Sequence, residues 1–124
     1  MDGIMGLAPK PQGTNTNAEL VVDKLFDNSQ TENKLFGVSF RLSSDAQGSW
    51  IDYGGYDTAL APTEDSISWV NLQNTFYWTI PINDLHYNGV AIEKLSTLTG
   101  GVVDTGTSLM HFDSTTYTSL YNSI

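Results

Sequence analysis

The most constraining feature of this sequence is the run Val-Val-Asp-Thr-Gly-Thr-Ser-Leu at residues 102–109. The two β-branched valines before Asp104 favour a buried strand that ends at the carboxylate. Gly106 permits a sharp turn or a close backbone approach just after it. Three hydroxyl side chains that can hydrogen-bond the carboxylate follow at once: Thr105, Thr107 and Ser108. The run therefore predicts an aspartate presented at the end of a strand, although Asp-Thr-Gly also occurs in ordinary turns.

Hydrophobic spacing along the rest of the chain predicts a mostly β fold with two short helices. One helix is predicted at about 18–27 with Asn17 as its N-cap, and another begins at Asp113 or Ser114. Asn88-Gly89 between apolar runs predicts a β-hairpin. Period-two alternation or short apolar runs favour strands at 36–42, 50–53, 67–72, 76–82 and 101–104. The three tryptophans are expected in the core: Trp50, Trp69 and Trp78.

Composition excludes several classes of function. Five basic and fourteen acidic residues give a net charge of −9, which argues against nucleic acid as a partner. With two histidines and no cysteine, a zinc site is not expected, and no disulfide can form. No apolar run reaches the length of a membrane-spanning helix, so we expect no membrane segment. Hydrophobic residues make up 40% of the chain, which is typical of a globular protein.

Six short motifs, in the same order and spacing, resemble those of the pepsin-like aspartic proteases (eukaryotic, family A1). Together they extend along nearly the whole chain, which makes the resemblance far more specific than one Asp-Thr-Gly. The motifs are Asp-Gly-Ile-Met-Gly-Leu at 2–7, Leu-Phe-Gly-Val-Ser-Phe at 35–40, Gly-Gly-Tyr-Asp at 54–57, Trp69-Val70 with Tyr-Trp-Thr-Ile at 77–80, Asn88-Gly89, and Val-Asp-Thr-Gly-Thr-Ser-Leu at 103–109.

The resemblance implies an incomplete portion of a bilobal fold. Residues 1–34 would be the end of the N-terminal lobe and the interlobe segment, and residues 35–124 the first part of the C-terminal lobe. The family's first Asp-Thr-Gly would then precede residue 1. Since the second predicted helix is still in phase at Ile124, we expect the chain to be part of a longer protein.

The resemblance also assigns roles to individual residues. Asp104 would be one catalytic aspartate of a pair that shares a proton, supported by Thr105, Gly106 and Thr107. Thr105 would hydrogen-bond the opposite lobe's motif, and Thr107 would hydrogen-bond the outer oxygen of Asp104. The expected substrate-binding residues are Ser108, Tyr77 and Val102. Tyr77 and Val102 would line the pocket just after the scissile bond, although filling a β core explains them equally well.

The implied activity is that of an aspartic endopeptidase, which hydrolyses peptide bonds in polypeptides and is inhibited by pepstatin-type compounds. No cofactor and no metal are implied, and the compartment would be secreted or lysosome/vacuole-like and acidic. Alone, the chain is expected to be inactive, and Asp104 is expected to titrate closer to an ordinary carboxyl than a member of such a pair would. Two alternatives remain: a pepsin-like binding protein without catalysis, and a single-motif lobe that is active only as a homodimer.

Overall fold

The computed structural model describes residues 3–9, 17–28, 33–92 and 98–124. Strands and turns predominate there, with two α-helices, so the prediction of a mostly β chain with two short helices is confirmed. In chain order the elements are α1 (Val21–Asn28), β1 (Phe36–Ser39), β2 (Trp50–Tyr53), a 3₁₀ helix (Glu64–Ser66), β3 (Thr79–Pro81), β4 (His86–Tyr87), β5 (Val90–Ala91), β6 (Gly100–Val102) and α2 (Ser114–Tyr121).

The described residues fall into two compact units. The first contains residues 3–7, 17–28 and 33–69, and the second contains residues 8–9, 70–92 and 98–124. The division into lobes at residues 34 and 35 refers to the larger protease architecture, and it stays a prediction.

In the first unit, α1 is amphipathic and presents one narrow face for burial. Val22 and Phe26, four residues apart, are buried, whereas Val21 and Leu25 are 51% and 41% exposed. The helix begins later than predicted because its first hydrogen bond runs from Lys24 N to Leu20 O. Asn17 is therefore too early to be its N-cap.

Strands β1 and β2 form an antiparallel hairpin in the same unit. Phe36 pairs with Tyr53 and Ser39 with Trp50. The predicted strand 36–42 is too long, because the amide of Arg41 donates to Ser49 Oγ at 2.9 Å instead of continuing the ladder. The Arg41 guanidinium lies over the Trp50 ring, 4.9 Å from its centroid, and closes this end of the hairpin.

The prediction of a strand at 67–72 is wrong. Ile67 N bonds Glu64 O to close the 3₁₀ helix, and within the described residues no strand pairs with the stretch that follows. Trp69 is 63% exposed, so it does not belong to the core, while Trp50 and Trp78 are half-buried. Without a neighbouring strand, the backbone N–H and C=O groups of an apolar run have no ladder of hydrogen bonds to join.

In the second unit, β3 pairs with β6 and β4 pairs with β5, both antiparallel. The predicted hairpin is confirmed, since Asn88 and Gly89 have φ of 51° and 79° between β4 and β5. Two successive positive φ values are what a tight two-residue turn needs. The hairpin leads to Ile92, which is 4% exposed and bonds Leu85 O through its amide.

Helix α2 follows the Asp-Thr-Gly segment, and Asp113 is its N-cap. Its carboxylate accepts hydrogen bonds from Thr115 N at 2.9 Å and from Thr116 N at 3.1 Å. The helix ends at Tyr121 rather than continuing to Ile124. At its end the Ser123 amide bonds Leu120 O, a tighter three-residue spacing.

Candidate active site

Strand β6 carries the backbone to Asp104, and glycines at its start allow close packing against β3. A Cβ added at Gly101 would lie 2.6 Å from Ile82 Cδ1, and one added at Gly100 would overlap the Gln73 amide. Beyond the strand, Val103 N donates to Trp78 O at 2.9 Å, which extends the pairing by one residue. The backbone is therefore held up to the residue before Asp104.

The Asp104 carboxylate is bound by the turn that follows it. Its Oδ1 accepts a hydrogen bond from Gly106 N at 2.9 Å, and its Oδ2 accepts one from Thr107 Oγ1 at 2.5 Å. A Cβ added at Gly106 would lie 3.3 Å from Oδ1, so glycine lets the backbone come close to the Asp104 carboxylate here. Thr107 is thus bonded to the carboxylate, as the family resemblance implies, while the catalytic roles of these residues stay predictions.

These hydrogen bonds lower the pKa of Asp104 below its ordinary value of 3.8. The hydroxyl of Thr107 contributes most, followed by the Gly106 amide, and slight desolvation opposes them. Donors directed at a carboxylate stabilise its charged form. The local turn therefore lowers the pKa of Asp104 without a second carboxylate.

The other two hydroxyls of the motif do not bind the carboxylate within the described residues. Thr105 and Ser108 are exposed and, within the described residues, make no hydrogen bond to Asp104. Leu109 and Met110 are 73% and 83% exposed. The motif thus presents hydroxyl and apolar groups around an exposed carboxylate.

Tyr77 and Val102 lie near Asp104 in the register of the sheet. Thr79 pairs with Val102, and a bond from Val103 N to Trp78 O follows, so Tyr77 and Asp104 are the next residues beyond the last bond of the sheet. Tyr77 is 49% exposed and Val102 is 54% exposed. Filling a β core therefore does not explain them in this structure, and both offer apolar surface at the Asp104 end of the ladder.

The same set of hydrogen bonds recurs at Asp113, where it has a structural role. Asp113 accepts from the amide two residues later and from the Thr116 hydroxyl three residues later, and its pKa is lowered too. At Asp113 a helix follows, whereas no helix begins in residues 105–112. Because Asp113 has the same kinds of hydrogen bonds, these bonds alone do not identify Asp104 as catalytic. Asp104 is a candidate because it follows β6, is exposed to solvent and does not cap a helix.

Two residues of this site were not identified from the sequence. Gln73 and Asn74 precede β3, and their side chains bond Thr99 O at 2.6 Å and Thr79 Oγ1 at 2.8 Å. Asn between two apolar runs is a signal for a turn. The bond from Gln73 spans 26 positions, and no local pattern could have indicated it.

Other kinds of site find no support in the described part of the chain. Within residues 3–9, 17–28, 33–92 and 98–124, no group of three or more His, Cys, Asp or Glu side chains could hold a metal ion. No helix in these residues combines the length and apolar character needed to cross a membrane.

Comparison with known proteins gives the family. The profile of the eukaryotic aspartyl proteases matches residues 1–124. Over 109 residues, or 88% of this chain, the sequence is 35% identical to Pepsin A of Suncus murinus and 35% identical to Pepsin A of Canis lupus familiaris. It is 33% identical to Pepsin II-2/3 of Oryctolagus cuniculus over the same share. The chain spans 27% of the length of these relatives, and its strands and two helices are consistent with part of the bilobal protease fold. The chain belongs to the eukaryotic aspartyl protease family.

Proposed function

We propose that Asp104 is one of the two catalytic aspartates of an aspartic endopeptidase, and that the second is supplied from outside residues 1–124. Asp-Thr-Gly occurs once in this sequence, at residues 104–106. The observation that supports the proposal most is the exposed Asp104 carboxylate, held by Gly106 N and Thr107 Oγ1 after β6. Membership of the protease family supports the same chemistry.

Two carboxylates a few ångströms apart cannot both ionise easily, so the pair shares a proton over a range of pH. Aspartic proteases are a standard example of this effect. The ionised carboxylate takes a proton from water, which attacks the scissile carbonyl carbon, while the protonated one donates to the carbonyl oxygen. Because Thr107 and Gly106 favour the charged form of Asp104, they extend the singly charged state of the pair to lower pH.

Polypeptides are the proposed substrates, with apolar side chains next to the scissile bond. Tyr77 and Val102 are about half exposed and offer apolar contacts, and Ser108 offers an exposed hydroxyl. Pepstatin-type inhibitors would occupy the same cleft in the full enzyme. A secreted or lysosome-like acidic compartment would suit an active site that works with a shared proton.

A peptidase assay tests the proposal. The isolated chain and a longer protein that contains it are incubated with a polypeptide substrate at about pH 4, with and without a pepstatin-type inhibitor. We expect inhibitor-sensitive cleavage by the longer protein and none by the chain alone. Cleavage by the isolated chain that is lost on Asp104→Asn would contradict a second aspartate from outside the chain, and would favour two copies of this one.

A further inference from the structure

Asn74 makes three hydrogen bonds that define the backbone just before β3. Its Oδ1 accepts from Phe76 N at 3.0 Å and from Tyr77 N at 3.1 Å. Its Nδ2 donates to Thr79 Oγ1 at 2.8 Å. A side chain that binds backbone amides in this way replaces a strand ladder with a fixed turn. Asn74 is therefore the reason that β3 begins at Thr79 and not at Phe76.

Gln73 ties the same turn to β6. Its amide donates to Thr79 O at 2.9 Å, and its side-chain Nε2 donates to Thr99 O at 2.6 Å. Thr99 O also accepts from Ile82 N at 3.3 Å. The turn that contains Asn74 is thus anchored to Thr79 in β3 and to Thr99, the residue just before β6.

The position of the Tyr77 side chain depends on this turn, because the side chain is not fixed by packing in a core. The residue is 49% exposed, and its own amide bonds Asn74 Oδ1. The backbone of Tyr77 sets the direction of its Cα–Cβ bond, and therefore the region that the rotamers of its ring can reach. Tyr77 and Asp104 each lie one residue beyond the last bond between these two segments, from Val103 N to Trp78 O.

We propose that Asn74 is a positioning residue for Tyr77, and that it sets how strongly the enzyme prefers a large apolar side chain just after the scissile bond. The inference rests on the proposed function, in which Tyr77 lines that pocket. Asn74 itself would not touch the reacting atoms. Its loss would remove the hydrogen bonds from the Phe76 and Tyr77 amides and weaken an apolar contact with the substrate.

The test compares two peptide substrates, one with Phe and one with Ala just after the scissile bond. It uses the longer protein that contains this chain. Asn74→Ala removes all three hydrogen bonds and should reduce the Phe-over-Ala preference in kcat/KM about tenfold, through KM, since one lost apolar contact is of this order. The ratio of two substrates does not depend on how much enzyme is folded, so a loss of stability cannot imitate this result.

Two further variants make the comparison specific. Asn74→Asp keeps an oxygen for the Phe76 and Tyr77 amides, and the Thr79 hydroxyl can donate to the second oxygen. It should therefore retain the wild-type preference. Asn71 is an exposed asparagine three positions earlier, and Asn71→Ala should also leave the preference unchanged.

A double-mutant cycle with Tyr77→Ala tests whether Asn74 acts through Tyr77. If it does, the double variant has the preference of Tyr77→Ala alone. Independent, additive losses would overturn the positioning role, and so would a wild-type preference in Asn74→Ala. No cleavage by the wild-type protein would instead overturn the proposed function, together with the inference that rests on it.

Discussion

The carboxylate of Asp104 and the hydroxyl of Thr107 are joined by a hydrogen bond of 2.5 Å, made entirely within the turn that follows β6. The turn therefore fixes the orientation of the carboxylate before any substrate or second aspartate is considered. It also lowers the pKa of Asp104, with Thr107 as the largest cause. A group with a lowered pKa stabilises the fold above its unfolded pKa, and that contribution is lost as the pH falls through its folded pKa.

Thr107→Val keeps the shape of the side chain and removes the hydroxyl. We expect the pKa of Asp104 to rise toward 3.8 and to remain somewhat below it, because Gly106 N still donates to Oδ1. Carboxyl carbon shifts in an NMR titration measure this directly. Thr105→Val is the matched control and should leave the pKa where it is. An unchanged Asp104 pKa in Thr107→Val would contradict the assigned cause.

Gly100→Ala tests the packing at the start of β6. The added methyl group would overlap Oε1 of Gln73 and lie 2.9 Å from its Cδ, so the amide must swing away and lose its bond to Thr99 O. We expect a loss of about 1 kcal/mol in the free energy of unfolding by urea. Gly55→Ala, where no atom lies within 4 Å of the added Cβ, should cost nothing comparable. If Gly100→Ala costs as much in a Gln73→Ala background, the clash with Gln73 is not the cause.

Thr116 links the start of α2 to its N-cap. The side chain is fully buried, and its Oγ1 donates to Asp113 Oδ2 at 2.5 Å. Thr116→Val should lower the free energy of unfolding by about 1 kcal/mol, since one partly buried hydrogen bond is lost at nearly constant shape. Thr115→Val, at an exposed neighbour, provides the control for replacing Thr by Val in a helix. Equal losses in the two variants would show that the hydroxyl of Thr116 contributes nothing special.

His86 and Asp84 form an exposed pair beside the β4–β5 hairpin. His86 Nε2 lies 2.7 Å from Asp84 Oδ2, and Nδ1 lies 3.4 Å from Gly89 O. Both neighbours are acceptors, so the doubly protonated ring fits them best. The bond to Asp84 accordingly raises the pKa of His86 above 6.5, and the same bond lowers the pKa of Asp84 below 3.8.

The pH dependence of this pair follows from the two directions. The contribution of His86 is complete below 6.5 and disappears as the pH rises through its folded pKa. That of Asp84 is complete above 3.8 and disappears as the pH falls through its folded pKa. The difference in unfolding free energy between wild type and His86→Ala should therefore be largest between pH 3.8 and 6.5. His111→Ala, at another exposed histidine, is the control; a pH-independent His86 difference would contradict the pair.

Several features of this chain could be predicted from residues that are close together in sequence. The bond between Asp104 and Thr107 spans three residues, and the Asn88-Gly89 hairpin and the Asp113 cap likewise depend on neighbours in sequence. In each case the side chain and the groups that it binds lie within one turn, so residue types alone specify the interaction.

Longer-range features could not be predicted in this way. The start of β3 depends on the hydrogen bond between Asn74 and Thr79. Position 100 requires glycine because the Gln73 side chain, which bonds Thr99 O, occupies the space that a Cβ would need. The apolar run 67–72 has the composition of a strand, yet pairing requires a neighbour in space, which alternation does not report. The exposure of Tyr77 and Val102 likewise depends on what packs over them, not on their type.

The central claim is that Asp104 is a catalytic aspartate, and Asp104→Asn in the longer protein tests it most directly. Asp113→Asn is the matched control, because Asp113 has the same kinds of hydrogen bonds but caps a helix. At about pH 4, we predict that Asp104→Asn lowers kcat for peptide cleavage at least roughly a hundredfold, while Asp113→Asn retains most of it. Substantial cleavage by folded Asp104→Asn, or equal losses in both variants, would contradict the account.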